Sequence, residues 1–159
     1  MEVCVDNVDS LINAVQGGAS RIELCSALSE GGLTPSFGFF KLAKSLTTIP
    51  IHVLIRSRTG DFNYNENDLK IMAEDSKVLV EAGADGIVFG CLDKTANIDV
   101  NGCKLILDAV KNSPINFTFH RAFDVVQDPI KAAQLIKELG FTRILTSGQV
   151  SELSKSYIS

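Results

Sequence analysis

The stretch Arg21-Ile22-Glu23-Leu24-Cys25 alternates polar and aliphatic residues, and along a strand such alternation sends successive side chains to opposite faces of a sheet. Five further runs have strand character: Met1 to Val5, Ile51 to Arg56, Gly86 to Gly90, Ile115 to His120 and Arg143 to Thr146. Sorted by parity, the runs fall into two unlike sets. One set holds Val3, Val5, Ile22, Leu24, Val53, Ile55, Ile87, Phe89, Phe117, Phe119 and Ile144, all apolar. The other is partly polar: Glu2, Cys4, Asp6, Glu23, Cys25, His52, Leu54, Arg56, Gly86, Val88, Gly90, Thr118, His120, Leu145 and Ser147. An open parallel sheet with helices on both faces would be apolar on both parities. A closed barrel needs one parity under its helices and turns the other inward, so the pattern reads as an α/β chain of the TIM (β/α)8 type.

Helical patterns separate the strands, near Val8 to Gln16, Phe37 to Ser45, Glu66 to Glu81, Asn101 to Lys111 and Pro129 to Glu138. In the third, Leu69, Met72, Ala73, Ser76 and Leu79 give the i, i+3, i+4, i+7 stripe of a helix with one packed face. Gly17-Gly18, Gly83 and Gly140 follow helical patterns where a left-handed residue ends a helix, and Pro129 stands where a first turn tolerates proline. The phrases Gly17-Gly18-Ala19, Ala82-Gly83-Ala84 and Leu139-Gly140-Phe141 repeat one helix-to-strand turn. A complete barrel of this type runs to about 250 residues. The 159 residues here hold about six βα units, so the expectation is a single, incomplete barrel domain over residues 1–159 that lacks the last two units. Either the sequence is a fragment or splice product, or its open edge is covered by another subunit, and a homo-oligomer is expected.

Composition narrows the function. A hydrophobic share of 45% supports a packed core, and a net charge of -4 without a basic stripe argues against nucleic acid. No apolar run approaches the length needed to cross a bilayer, and the N-terminus lacks a charged leader pattern. Four dispersed cysteines, Cys4, Cys25, Cys91 and Cys103, show neither CxxC spacing nor disulfide-scaffold density. A cytoplasmic protein is expected, with the nucleus also open to it.

The inward set carries the candidate chemistry. If Glu2-Val3-Cys4 and Glu23-Leu24-Cys25 lie near register on neighbouring strands, both thiols point inward at similar height and can share one soft ion. Two small buried thiols filling a barrel layer are the plain alternative. Arg56, His120 and Asp124 lie at or beyond strand C-terminal ends, where such barrels place their sites, with Glu2 and Glu23 deeper. These five form a candidate acid–base pocket in which the arginine holds a small anion. They equally form a structural ion-pair layer with Glu2 or Glu23 neutralising Arg56. Arg58 and Arg121 have loop positions that suit solvated roles. Gly31-Gly32 reads as a flexible turn, and Cys91 and Cys103 as incidental.

Several phrases, in order, carry a family resemblance: Met1-Glu2-Val3-Cys4-Val5-Asp6, Arg21 to Ser26 with Glu30-Gly31-Gly32-Leu33-Thr34-Pro35, Ile55 to Arg58 with Gly60-Asp61-Phe62, Ala84 to Gly90, Thr118-Phe119-His120-Arg121-Ala122-Phe123-Asp124, and Arg143-Ile144-Leu145-Thr146-Ser147-Gly148. Together they resemble the CutC family up to Gly148, and the polar tail from Gln149 has no clear counterpart. The resemblance implies a TIM barrel, a cytoplasmic location and copper handling, with Cys4 and Cys25 as ligands of copper(I). The expectation is intracellular copper trafficking or buffering. A barrel enzyme acting on a small anionic metabolite through Glu23, Arg56 and His120 stands as the alternative, beside a shortened form without activity.

Overall fold

The computed structural model describes residues 1–149. Six parallel strands lie side by side in sequence order, β1 Glu2–Val5, β2 Arg21–Leu24, β3 Ile51–Leu54, β4 Gly86–Phe89, β5 Asn116–Phe119 and β6 Arg143–Ile144. Five helices connect them: α1 Val8–Gln16, α2 Phe37–Leu46, α3 Glu66–Glu81, α4 Val100–Ala109 and α5 Pro129–Glu138. The sheet curls, because inward side chains from β1 and from the ends of β3 and β5 line one cavity that a flat sheet would spread apart. The architecture is that of an incomplete TIM barrel.

Local chemistry starts the helices where they start. Asn7, Ser36, Asn65, Asp99 and Asp128 each accept a backbone N–H of the first turn, and Asn65 with Asp68 completes a capping box. Such a cap is worth about 1 kcal/mol. Gly18, Gly83 and Gly140 take positive φ at the helix-to-strand turns.

The parity split holds along every strand. Val5, Ile22, Leu24, Val53, Ile55, Ile87, Phe89 and Phe119 join one core under the helices, with Val3, Phe117 and Ile144 packed at its margin. Phe89, Phe119 and Phe141 meet there with ring centroids 4.9 and 5.4 Å apart. Fully burying a side chain of this size contributes roughly 1.5–3 kcal/mol, so this outer layer carries most of the apolar stabilisation. The inward face has only a small apolar layer, Cys25, Leu54 and Val88.

Register corrects one expectation. Cys4 pairs across the ladder with Glu23, and Glu2 with Arg21, so the two Glu-aliphatic-Cys phrases are staggered by two residues. A shift of two keeps every side chain on its face. Both thiols therefore still point inward, and strand tilt brings them together diagonally.

The strands are shorter than their sequence runs at several C-terminal ends. After β2 and β5 the chain turns at once into short 3-10 segments, Leu28–Glu30 and Arg121–Val125, which the apolar periodicity did not signal. The chain beyond residue 149, including most of the polar tail, lies outside the described residues.

Candidate metal and ligand site

At the C-terminal mouth of the curled sheet lies a cavity of about 400 Å³, lined by Glu2, Cys4, Glu23, Cys25, Leu28, Gly31, Gly32, Leu54, Arg56, Phe62, His120, Arg121 and Leu145. The thiols of Cys4 and Cys25 are 3.6 Å apart. Cys25 is fully buried and also points its sulfur at the Val5 carbonyl, whereas Cys4, on the edge strand, is open to solvent. The Cys4 thiol is raised well above the ordinary range by its hydrogen bond with Cys25, by burial and by the nearby Glu23 charge. Both residues line the cavity.

Glu23 is buried, and Cys4 Sγ lies 3.7 Å from its Oε1. Burial, and then the negative charge of Glu2, push its carboxyl up to about 7. Glu2 itself is bound by Arg21 in an ion pair. The reading in which Glu2 or Glu23 neutralises Arg56 is thus not what the structure shows. Arg56 donates instead to three main-chain carbonyls, those of Glu30 at 3.1 Å, Gly32 at 3.0 Å and Gly60 at 2.7 Å, and its guanidinium lies over the Phe62 ring. Carbonyl oxygens solvate the cation without cancelling its charge, so the positive field remains available to the cavity. Gly31 and Gly32 both take left-handed φ to deliver this grip, and a Cβ on Gly32 would stand 2.6 Å from Leu54. The loop read as a flexible turn is built around Arg56.

His120 is buried beside Phe62, with ring centroids 4.8 Å apart. Its Nδ1 accepts the N–H of Ala122, which places the ring proton on Nε2. That Nε2 is buried without a hydrogen-bond partner among the described residues. Burial, reinforced by the Arg56 charge, lowers its pKa to about 3, so the ring is neutral. Room for it comes from Gly90, where a Cβ would lie 2.7 Å from Nδ1.

Asp124, expected in the pocket, is not part of its lining. It binds Arg121 and receives hydrogen bonds from Thr146, Ser147 and the Gln149 N–H. Burial works against its charge, but the bonds from Thr146, Arg121 and Ser147 outweigh this and hold its carboxyl well below the usual range. Its role is to anchor the chain after β6. Arg121 was read as solvated; it lines the cavity while paired to Asp124. Arg58 likewise binds Asp61, Asp68 and three carbonyls, tying the loop after β3 to the start of α3. Cys91 and Cys103 prove to be buried neighbours, and the Cys91 thiol is raised by its hydrogen bond with Cys103.

A family model described as the CutC family matches residues 1–157. The chain belongs to the CutC family. The match runs through residues that the phrase-by-phrase comparison left as an unmatched tail. A CutC family protein of Vibrio vulnificus is 48% identical over 148 residues, covering 93% of this chain and 59% of that protein. The human copper homeostasis protein cutC homolog is 49% identical over 148 residues, covering 93% of this chain and 54% of its own length. The chain thus spans a little over half the length of these curated relatives. A crystal structure of CutC from Streptococcus agalactiae superposes with a TM-score of 0.88 at 37% identity, over 94% of this chain and 73% of that one. An aldolase, QR15, shares the fold alone, at a TM-score of 0.56 and 21% identity.

Proposed function

We propose that this CutC chain binds copper(I) between Cys4 and Cys25 and serves copper homeostasis by trafficking or buffering the ion in the cytoplasm. The observation that carries the reading is the pair of cavity-facing thiols 3.6 Å apart. With metal–sulfur bonds of about 2.3 Å, as for zinc thiolates, two sulfurs sharing an ion stand at most about 4.6 Å apart. The pair is within that reach with little movement of Cys4. Soft thiolates favour copper(I) over harder ions. Zinc asks for four ligands as a rule, and among the described residues no group of three or more His, Cys, Asp or Glu is placed to hold a metal. A two-sulfur site suits a low-coordinate soft ion. The name of the human relative points the same way.

The Cys4 thiol holds its proton before the ion arrives, so binding displaces that proton and affinity climbs with pH. Glu23, 3.7 Å from Cys4, is placed to accept it. Anaerobic copper(I) titration of the reduced protein against a competing chelator tests the proposal, beside the Cys4→Ser, Cys25→Ser double variant. One equivalent bound by the parent and none by the variant is the expected result. Equal binding by the two, or negligible binding by the parent, overturns it.

A further inference from the structure

The same cavity holds a polar group that copper binding leaves unused. His120 is 5% exposed, its Nδ1 is committed to the Ala122 N–H, and its Nε2 has no hydrogen-bond partner among the described residues. A buried donor left unsatisfied costs roughly 1–3 kcal/mol, and such groups are rare unless a ligand or water meets them. Beside it stands the Arg56 guanidinium, 5% exposed, fixed on three carbonyls and stacked on the same Phe62 ring. The neutral imidazole supplies a directed N–H, and the guanidinium supplies uncancelled positive charge. Together they present the chemistry that receives an anionic oxygen.

The remaining lining selects among anions. Leu28, Leu54, Phe62 and Leu145 make much of the wall apolar. A strongly hydrated inorganic anion gains nothing from such a surface, while a short hydrocarbon body does. The volume of about 400 Å³ is at the small end of ligand pockets. We infer that the cavity binds a small organic carboxylate, with one carboxylate oxygen accepting the His120 Nε2–H in the field of Arg56 and a short apolar body against Phe62 and Leu54. This site is distinct from the thiol pair and goes beyond copper binding, although both open into one cavity.

The chain has only two histidines, so ring nitrogen–proton correlation spectra of the metal-free, reduced protein report on each, with His120→Gln making the assignment. Butyrate at millimolar concentration is expected to shift the His120 Nε2–H signal in a saturable way and leave His52 in place. Butyramide, its neutral counterpart, is expected to bind at least tenfold more weakly, as is butyrate to the Arg56→Lys variant. The Cys4→Ser, Cys25→Ser protein should keep the butyrate response, so failure of the copper reading and failure of this one are separable. If Arg56→Lys does not fold, the comparison of butyrate with butyramide on the unaltered protein decides. Any of three results overturns the inference: inorganic phosphate shifting His120 while butyrate does not, equal movement of His52 and His120, or no response to any probe, which leaves water as the partner of Nε2.

Discussion

The two ends of the barrel interior are built on the same plan and finished differently. Each sets a buried histidine against a glycine at an end of β4: His52 against Gly86, its first residue, at the N-terminal end, and His120 against Gly90, just past its last, at the C-terminal mouth. In both places a Cβ on the glycine would come within 2.8 Å of the imidazole. Around His52, Arg21 pairs with Glu2 and Asp85 with Lys44, while Arg143, in the same cavity of about 600 Å³ rimmed by the helix-to-strand turns, has a buried Nη1 without a hydrogen-bond partner among the described residues. Around His120, Arg56 rests on carbonyls and the ring is locked in one tautomer. The N-terminal end thus combines two ion pairs with one cation unpaired among the described residues, whereas the mouth fixes its cation and its imidazole on the main chain, an arrangement that suits an end meeting a ligand.

The largest effects should come from removing the shared device. Gly90→Ala places a methyl group against His120 and Phe119, while the nearest atoms to a Gly86→Ala methyl all belong to His52. Overpacking of this kind costs about 1–3 kcal/mol, and urea denaturation should place Gly90→Ala at the upper end. Equal losses would show that the two ends are packed alike.

Next in size is Asp124→Asn, which weakens a nearly buried set of bonds that closes the mouth. A loss of about 2 kcal/mol at pH 7 is expected, in line with hydrogen bonds to charged groups. The folded pKa of Asp124 is depressed, so its contribution is complete above the unfolded value of about 3.9 and is lost as pH falls below it. The gap between variant and parent should therefore narrow in urea titrations at pH 3.

Glu23 and the histidines act in opposite directions with pH. The raised folded pKa of Glu23, about 7, means that the native state holds its proton more tightly, so stability falls as pH rises from the unfolded value of about 4.3 through 7. His52 and His120, lowered to about 4 and about 3, contribute stability that is present above about 6.5 and lost as pH falls toward those values. Glu23→Gln should thus be more stable than the parent at pH 8, by about 1–3 kcal/mol, with little difference at pH 4. His52→Gln and His120→Gln should each flatten the loss between pH 6.5 and 4. The smallest effect belongs to the exposed Lys70 and Glu66 pair on α3. Lys70→Ala should cost about 0.3 kcal/mol in the same assay, which sets the scale for a residue belonging to neither end.

The sequence made the barrel legible because parity is a local property. Ile22, Leu24, Phe117 and Phe119 declare their face without reference to any partner strand. Register is not local: a stagger of two residues between β1 and β2 leaves the same alternation, so no hydrophobic pattern distinguishes Cys4 opposite Glu23 from Cys4 opposite Cys25. Proximity of the thiols was legible, but its diagonal geometry was not. The partners of Arg56 were hidden for a different reason. Main-chain carbonyls of Glu30, Gly32 and Gly60 carry no residue identity, and only the two left-handed glycines hinted that backbone would be presented there. Asp124 misled because its position after β5 resembles that of a site residue, while Thr146 and Ser147, which claim it, lie beyond the next helix. The lone Nε2–H of His120 was invisible in sequence, since it depends on which ring nitrogen meets the Ala122 N–H.

The Arg56 guanidinium is also a mechanical part. One planar group holds Glu30 and Gly32 in the loop after β2, and Gly60 in the loop after β3. The two loops are riveted through a single side chain, so whatever tugs on that rivet from inside the cavity is felt in both rims at once.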